Sequence, residues 1–321
     1  MRYKFKKTDH GLTNNLGNQL QKIIKTLNEK KFSTRYRYIA AMERFIRFVA
    51  EEFRLRKINN IKDKHLKAYV EHHKKMGNSG KYIKNELCAI RFFHNINPNA
   101  KKPLQDSQKF NKSVDLGSTT NIKDVDRSWS EKEFHDFLQK SNDLNRPEIA
   151  NILKGMRLLG LRIDEAVTLQ HHHIITALET GKIHIQKITK GAVPRDIILT
   201  EKAKKHLKHI IKEISPGEYA YTPVEYVKVH EIHKFKKSIQ NFINHHRKNI
   251  QLPNRKMSSH NVEANMKAPL TAHGLRHTYA KEKYYYYRNK GYSVNQAKIA
   301  VSRELGHHRK EITEVYLANI E

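Results

Sequence analysis

Three short segments, separated by long stretches of chain, carry residue types that could act on a phosphodiester. They read Gly-Leu-Arg-Ile-Asp-Glu at 160–165, His-Gly-Leu-Arg at 273–276 and Leu-Gly-His at 305–307, and Tyr316 follows the last of them. The planar guanidinium of arginine binds phosphate oxygens in pairs and stays charged at neutral pH. Histidine can transfer protons, and a tyrosine hydroxyl can attack phosphorus. Together the segments indicate chemistry at a phosphate.

The chemistry of such a phosphate explains why these residue types belong together. Negative charge grows on the phosphate as a fifth oxygen joins the phosphorus, so a catalyst must direct donors at the nonbridging oxygens. Arg162 and Arg276 come from distant segments and could hold one phosphate from two sides. His273 lies three residues before Arg276, on the same face if that segment is a helix. A phenol, with an ordinary pKa of about 10, needs cationic or basic neighbours to attack at neutral pH.

The charge of the chain narrows the choice of partner. The sequence has 62 lysines and arginines against 32 acidic residues, a formal net charge of +30, and the basic residues are spread along its whole length. A polyanion is the expected partner, and one that the protein wraps fits better than one bound by a basic tail. Charge by itself fits an enzyme acting on nucleic acid and equally a ribosomal or chromatin-type binding protein.

Cysteine usage and hydropathy indicate the compartment. Cys88 is the only cysteine and lies in an apolar helical pattern, so we expect it to be a small core residue, and no disulfide can form within the chain. The first residues lack an apolar stretch of signal-peptide length, and no stretch approaches the roughly 18 apolar residues of a membrane span. We therefore expect a cytoplasmic protein without membrane association.

Residues 13–97 show apolar side chains at helical spacing in four stretches, and Ser79 is a candidate N-cap of the last. The opposite faces of these helices are basic. A basic helical module in a chain of this charge is typical of a DNA-binding domain. The candidates for DNA contacts are Arg35, Arg37, Arg44, Arg47, Lys81 and Lys84.

A change in composition separates this module from the rest of the chain. Residues 98–127 combine prolines, a glycine and polar residues with few apolar ones, which predicts a linker. A second domain begins near Trp129, where Ser130 and Glu133 have the spacing of a helix capping box.

The second domain contains the only convincing β signal. Residues 182–188 and 193–199 alternate apolar and polar side chains and flank a turn with glycine at position 191. Pro194 indicates that the second strand starts at an edge. The expected fold class is therefore mainly α with a small β-sheet (α+β).

The order and spacing of the three segments, with Tyr316 after the last, resemble the tyrosine recombinase (phage integrase) family of DNA strand-exchange enzymes. The resemblance implies a basic tail at 1–12, a helical SAM-like core-binding domain at 13–97, and a mostly helical catalytic domain at 128–321 beyond the linker. It also selects Tyr316 as the nucleophile among 15 tyrosines. Strand exchange would then proceed within a clamp around DNA, through 3′-phosphotyrosyl intermediates.

Further roles are implied by the resemblance alone. Arg162 and Arg276 would bind the phosphate, and His273 and His307 would bond it and assist proton transfer. The resemblance also implies a role for one lysine and for one carboxylate, and in each case the sequence offers an alternative residue.

A lysine on the hairpin would protonate the leaving 5′ hydroxyl, and Lys190 occupies the matching position, with Lys187 as its competitor. Glu165 matches an acidic residue of the family that orients neighbouring groups, and Asp164 is the alternative.

The 21 histidines prompt a comparison with metal sites. His273 and His277 have a spacing that can bind zinc, but neither a His-Glu-x-x-His segment nor a cysteine pair accompanies them. We expect no metal and no cofactor, because in this family the phosphotyrosyl bond conserves the energy of the broken strand.

The expected partner is double-stranded DNA with inverted half-sites, on which protomers form a homotetramer. Because only a short tail follows Tyr316, the free protein is expected to be a monomer. Two alternatives stay open: an enzyme like the type IB topoisomerases, which nicks and reseals one duplex, and a DNA-binding protein without catalytic activity.

Overall fold

The structure is a computed structural model of the 321-residue chain. It describes residues 3–25, 32–116, 125–186, 193–228, 230–255, 267–306, 310–318 and 320. The chain divides into two compact units, Met1–Thr120 and Asn121–Glu321. Both units are built mainly from helices, and the second contains a two-stranded sheet. The predicted fold class, mainly α with a small β-sheet, is confirmed.

The first unit is a helical bundle around its own apolar core. Ser79 caps its fourth helix as expected, since its side chain accepts a hydrogen bond from the backbone of Tyr82. The described helices are α1 (Gly11–Lys25), α2 (Phe32–Phe53), α3 (Asp63–Lys75), α4 (Gly80–Ile96) and α5 (Ser107–Ser113), with a 3-10 turn at Ile58–Asn60.

The first unit extends beyond residues 13–97 at both ends. Phe5, within the predicted basic tail, is buried over Gly17 of α1, where a Cβ atom would lie 2.3 Å from the phenyl ring. Phe110, within the predicted linker, is fully buried on α5 and has Arg91 over its ring at 5.0 Å. The physical reason is that both extensions bury apolar side chains in the core of the first unit, Phe5 at one end and Phe110, Val114 and Leu116 at the other.

Cys88 is exposed, and the expectation that it is a core residue was wrong. The buried positions of α4 include Ile83, Leu87 and Ile90, so Cys88 falls at the edge of the apolar stripe. Its Sγ atom lies 3.2 Å from the hydroxyl of Tyr38 on α2. The apolar neighbours of Cys88 in the sequence suggested a core position, but the turn of the helix directs its side chain to the surface.

The second unit is a larger helical assembly with one hairpin. Its described elements are α6 (Glu131–Asp143), α7 (Pro147–Leu159), α8 (Ile163–Ala166), α9 (His171–Thr180), β1 (Lys182–Ile185), β2 (Arg195–Ile198), α10 (Glu201–Ile210), α11 (Val224–Lys228), α12 (Ile232–Ile250), α13 (Ala272–Asn289), α14 (Val294–Glu304) and α15 (Lys310–Tyr316). Helix α13 packs against α7, α12, α14 and α15 and lies at the centre of the core.

The amino end of α13 is held by the segment that enters the unit. The indole Nε1 of Trp129 donates to the carbonyl of Thr271 at 3.0 Å, and its backbone N–H donates to the Thr278 hydroxyl at 2.8 Å. Gly274 makes this approach possible, because a Cβ atom there would lie 2.5 Å from the carbonyl oxygen of Arg127. The helix that carries the His-Gly-Leu-Arg segment is thereby fixed at its first turn.

The capping box at the start of α6 is confirmed: the side chains of Ser130 and Glu133 each bond the other's backbone N–H. Glu133 also accepts a buried, two-pronged ion pair from Arg255, both side chains being fully buried. The remaining donors of Arg255 reach the carbonyls of Ser128 and Ala268. Glu133 therefore caps its own helix and also connects α6 to Arg255, far along the chain.

The hairpin is present and shorter than its sequence pattern. Strands β1 and β2 are antiparallel, with Ile183 opposite Ile197 and Ile185 opposite Arg195. Pro194 directly precedes β2, where it removes no ladder hydrogen bond. The turn between the strands, at 187–192, lies outside the described residues. No helix among the described residues has the length and apolar character to cross a membrane.

We predict that the stability of the protein falls in mild acid, and that three buried histidines of the first unit, His65, His73 and His94, contribute to this loss. Burial lowers the pKa of each below its ordinary 6.5. Below that pH the unfolded chain binds protons that the folded chain excludes, so the free energy of unfolding decreases as pH falls. Each histidine contributes up to about 1.4 kcal/mol per pH unit in this range and nothing to the slope above it.

Urea unfolding of the full chain at about pH 7.5 and about pH 5.5 measures this slope. The double substitution His73→Gln and His94→Gln should reduce it, whereas His72→Gln, an exposed neighbour, should not. An equal pH slope in the wild type and the double variant would contradict the prediction.

Candidate active site

Tyr316 ends α15 with its side chain against the first turns of α13. Its hydroxyl lies 3.1 Å from Nε2 of His273. The ring of His277 stacks on the phenol ring, with centroids 4.3 Å apart and planes inclined by 24°. The guanidinium carbon of Arg276 lies 5.8 Å from the centre of the same ring. The structure therefore brings the tyrosine to the His-Gly-Leu-Arg segment.

Arg276 joins all three sequence segments. Its side chain is fully buried, and its two terminal nitrogens donate to the carbonyls of Gly160 and Leu305. Its Nε is buried without a hydrogen-bond partner in the described part of the chain. Burial lowers the pKa of Arg276 to about 10, so it stays charged at neutral pH. One donor of a charged guanidinium is thus left beside the tyrosine.

Arg162 begins α8 immediately after the turn at Gly160. That glycine ends α7 with φ of 59°, a left-handed conformation, and a Cβ atom there would lie 2.4 Å from the ring of Tyr279. The side chain of Arg162 is 27% exposed, and its Nη1 donates to Glu165 at 2.9 Å. Its backbone N–H donates to the same carboxylate at 2.8 Å. Glu165 therefore holds Arg162 at its backbone N–H and at Nη1, while the side chain stays partly exposed to solvent.

Glu165 is the acidic residue at the centre of the site. It is buried and receives both terminal nitrogens of Arg195, at 2.9 and 2.7 Å. Burial would raise the pKa of Glu165, but the hydrogen bonds and charge of Arg195 outweigh it and lower the pKa to about 2. The alternative residue, Asp164, pairs with Lys236 of α12. Of the two, Glu165 is the one in contact with the arginines.

His273 is neutral at physiological pH in this setting. The residue is open to solvent on one side, while dehydration on the protein side and the charges of Arg276, Arg162 and Arg127 lower its pKa below the ordinary 6.5. Its Nε2 can then accept a proton from the phenol, provided that the other ring nitrogen carries the hydrogen. This tautomer is inferred from the hydrogen bond between Nε2 of His273 and the Tyr316 hydroxyl.

Four residues of the site were missed by the sequence analysis: Arg127, Arg195, His277 and Glu304. Glu304 is buried and accepts hydrogen bonds from the hydroxyls of Tyr279 and Tyr287, at 2.6 and 2.9 Å. Hydrogen bonds and packing across large sequence separations define these residues, and local patterns do not register them. His277 was visible as the residue four positions after His273, but that spacing was compared only with zinc sites.

Two of the predicted catalytic positions lie outside the described residues. Lys190 and its competitor Lys187 fall between β1 and β2 in the sequence, and His307 follows Gly306 directly. Their flanks are placed: β1 and β2 bracket the turn, and α14 leads to Gly306. The roles of these two residues stay predictions.

The basic residues of the first unit have mixed surroundings. Arg44 donates two hydrogen bonds, at 3.0 and 2.7 Å, to buried Glu86, so part of its function is within the protein. Arg47 lies 5.8 Å over the ring of Phe5. Of the others, Arg37 and Lys81 are exposed, Arg35 and Lys84 are half-buried, and Arg35 approaches the carbonyl of Ile24 at 3.5 Å. Their contacts with DNA stay predictions.

Within the described residues no group of three or more histidine, cysteine, aspartate or glutamate side chains is arranged to hold a metal ion. The charged groups gathered around Glu165 are instead arginines, and one of them, Arg276, lies beside the Tyr316 ring. Such a set binds an anion, and a phosphate is the anion that a guanidinium fork fits best.

Comparison with known proteins identifies the family independently of the geometry of the site. Residues 128–321 match the model of the phage integrase family, and residues 13–100 match the model of its N-terminal domain. A search of curated protein sequences finds no match.

Two solved structures share the fold. The Tn1549 transposon integrase in complex with transposon right end DNA is 18% identical, with 94% of this chain and 95% of that chain covered and a TM-score of 0.52. A lambda integrase dimer bound to a COC′ core site is 13% identical, with 97% and 77% covered and a TM-score of 0.55. The chain belongs to the phage integrase family, and it is a site-specific tyrosine recombinase that breaks and rejoins DNA.

Proposed function

We propose that Tyr316 is the nucleophile, and that it attacks a DNA phosphate held between Arg162 and Arg276. The observation that carries this proposal is the contact of 3.1 Å between the Tyr316 hydroxyl and Nε2 of His273, beside the buried guanidinium of Arg276. The phenol oxygen bonds to phosphorus, the bond to the 5′ oxygen breaks, and the chain becomes linked to the 3′ end of the cut strand. Rejoining reverses these steps.

Proton transfer from the phenol is assigned to His273. A neutral imidazole at hydrogen-bond distance can take the hydroxyl proton as the oxygen approaches phosphorus. The lowered pKa of His273 keeps the ring neutral and able to accept at physiological pH. His277, stacked on the phenol ring, limits the directions in which the hydroxyl can point. This arrangement prepares the tyrosine before DNA binds.

The phosphate is assigned to the two arginines that the fold holds at different depths. Arg276 offers its Nε, which has no partner among the described residues, from the protein interior, and Arg162 offers a partly exposed guanidinium. Two fixed cations stabilise the charge that develops in the transition state without moving during the reaction. Glu165 accepts hydrogen bonds from the backbone N–H and the Nη1 of Arg162, which supports the orienting role proposed for it.

The proton for the leaving 5′ oxygen is assigned to Lys190, and His307 is assigned to the phosphate. Both assignments come from the family pattern. What supports them is the position of the flanking elements: β2 carries Arg195, which bonds Glu165, and α14 ends beside Arg276. The hairpin and the last segment therefore both border the tyrosine site.

We further propose that the substrate is double-stranded DNA with inverted half-sites at the ends of a mobile element, cut in the cytoplasm by a tetramer. The Tn1549 integrase was solved on transposon right end DNA and the lambda integrase as a dimer on a core site. The net charge of +30 supports extensive contact with DNA. Exchange between two sites, as opposed to resealing of one, separates this proposal from the topoisomerase-like alternative.

We predict that Tyr316→Phe binds a nicked suicide substrate with wild-type affinity but forms no covalent complex, because only the attacking oxygen is lost. Denaturing gel electrophoresis detects the adduct. Tyr285→Phe, at an exposed tyrosine of α13, serves as the matched control and should cleave normally. An adduct that persists in Tyr316→Phe would overturn the assignment of the nucleophile.

Lys190→Ala should slow cleavage of a normal substrate by about 100-fold or more, the usual contribution of a general acid. It should slow far less the cleavage of a substrate with a 5′-thiol leaving group, since a thiolate leaves without protonation. Lys187→Ala is the control and should show no such difference. Equal slowing of Lys190→Ala on both substrates would argue against this role, and a selective effect in Lys187→Ala would transfer it to that residue.

Assembly is expected to depend on DNA. The charge of +30 opposes self-association until phosphates neutralise it, so the free protein should be monomeric at moderate salt. Light scattering with a duplex carrying two inverted half-sites should show higher oligomers, and a duplex with one half-site should not. A stable tetramer without DNA would contradict this prediction.

A further inference from the structure

Arg195, at the start of β2, is buried and makes hydrogen bonds to Glu165 in the first sequence segment and to the carbonyl of Glu304, the residue before the third. We infer that Arg195 is a positioning residue for strand cleavage: it fixes Arg162 through Glu165, and it fixes the end of α14 that holds Arg276. The inference rests on the proposed function, because it assigns the two arginines to the scissile phosphate.

The first connection of Arg195 runs through Glu165. Its two terminal nitrogens bind the two carboxylate oxygens, at 2.9 and 2.7 Å, in the parallel geometry that a guanidinium fork gives. The same two oxygens receive the Nη1 and the backbone N–H of Arg162. Glu165 can serve Arg162 in this orientation only while Arg195 holds the carboxylate plane. The direction of the Arg162 side chain therefore depends on Arg195.

The second connection runs to the end of α14. The Nε of Arg195 donates to the carbonyl of Glu304 at 2.8 Å, and the carbonyl of the next residue, Leu305, accepts from Arg276. At Gly306, with φ of 63°, a Cβ atom would lie 2.9 Å from Cδ of Arg195 and 3.3 Å from the carbonyl of Val193. Strand β2 thus packs directly against the turn after α14, and Arg195 fixes the carbonyl that precedes the acceptor of Arg276.

The end of α14 is held from its other side as well. The Glu304 carboxylate accepts from Tyr279, Tyr287 and Lys283, at 2.6, 2.9 and 3.3 Å, and Lys283 also donates to the carbonyl of Ile198 in β2. The backbone of Glu304 therefore has little freedom to move. Arg195 links a fixed carbonyl to the carboxylate that orients Arg162, and this link sets the separation between the two phosphate-binding arginines.

Only arginine can make this set of bonds. Three coplanar donors on three nitrogens meet a carboxylate and a carbonyl that lie in different directions. Lysine carries the same charge, but its donors share one nitrogen and cannot span both acceptors. The substitution Arg195→Lys therefore keeps the charge beside Glu165 and removes the geometry.

The test is single-turnover cleavage of a suicide substrate by the full chain at saturating protein. Arg195→Lys should form the covalent complex about 100-fold more slowly than the wild type, the loss expected when a catalytic group is displaced by about an ångström, with DNA affinity unchanged. The matched control is Arg255→Lys, which alters a buried arginine–glutamate pair whose hydrogen bonds go to Glu133, Ser128 and Ala268. Its cleavage rate per folded molecule should stay at the wild-type value.

A second substrate separates positioning from general loss of structure. Replacing one nonbridging oxygen of the scissile phosphate by a methyl group removes the negative charge that Arg162 neutralises. The defect of Arg195→Lys should shrink on this substrate, in parallel with that of Arg162→Ala. A partly unfolded protein loses the same fraction of activity on both substrates. An equal loss on both would therefore overturn the inference.

Two further comparisons keep the outcome unambiguous. If Arg195→Lys folds poorly, the double variant Glu165→Gln with Arg195→Gln removes both buried charges, and it should show the same substrate-dependent loss. Tyr316→Phe is run in parallel: an adduct in that variant overturns the assignment of the nucleophile. An adduct that depends on Tyr316 but forms at the full rate in Arg195→Lys overturns the role of Arg195 alone.

Discussion

The buried charge of Arg276 is the constraint on which the rest of the site depends. Removing a guanidinium from water is costly unless its donors are satisfied and opposite charge is near. Gly160 and Leu305 meet this need with the carbonyls that end α7 and α14, where helix carbonyls lack partners within the helix and the helix dipole is negative. Glu165 adds a carboxylate oxygen at 4.0 Å. Two helix ends must therefore meet at one arginine.

That requirement explains the remaining geometry of the second unit. Because α7 ends at Arg276, the chain leaving it places Arg162 and Glu165 at the same point. Because α14 also ends there, the following residues begin beside the same side chain, and α15 returns Tyr316 to the first turns of α13. Trp129 fixes the start of α13 itself. Tyr316 and the arginines around Glu165 are brought together by the solvation of one buried charge.

The electrostatics of the site are unbalanced toward positive charge. Glu165 is shared by Arg162 and Arg195 and lies near Arg276, while Arg127 is a further cation close enough to lower the pKa of His273. This excess of positive charge suits an anion, as the proposed binding of a DNA phosphate requires. Two other arginines are paired within the protein: Arg255 forms a fully buried pair with Glu133, and Arg44 pairs with Glu86. Some arginines of this chain thus stabilise the fold, and others are proposed to bind DNA.

The sequence by itself determined what short-range physics controls. Helical periodicity, the cap at Ser79, the capping box at Ser130 and the hairpin pattern involve residues within a few positions of each other, and the structure contains each of them. The residue types and spacing of the three segments and Tyr316 also indicated the family, which the family models confirm. The conformations of Lys190 and His307 lie outside what the structure describes.

Only the tertiary structure decided which residues support that chemistry and which serve the fold. Arg195 meets Glu165 across 30 positions and Glu304 across 109, and Arg276 meets Gly160 across 116. The exposure of Cys88, the burial of Phe5 and the ion pair of Arg44 are equally non-local. Such partners are chosen by burial, where an unpaired polar group is costly and the nearest complementary group in space satisfies it. Residue type and spacing in the sequence therefore do not predict which of these distant residues become partners.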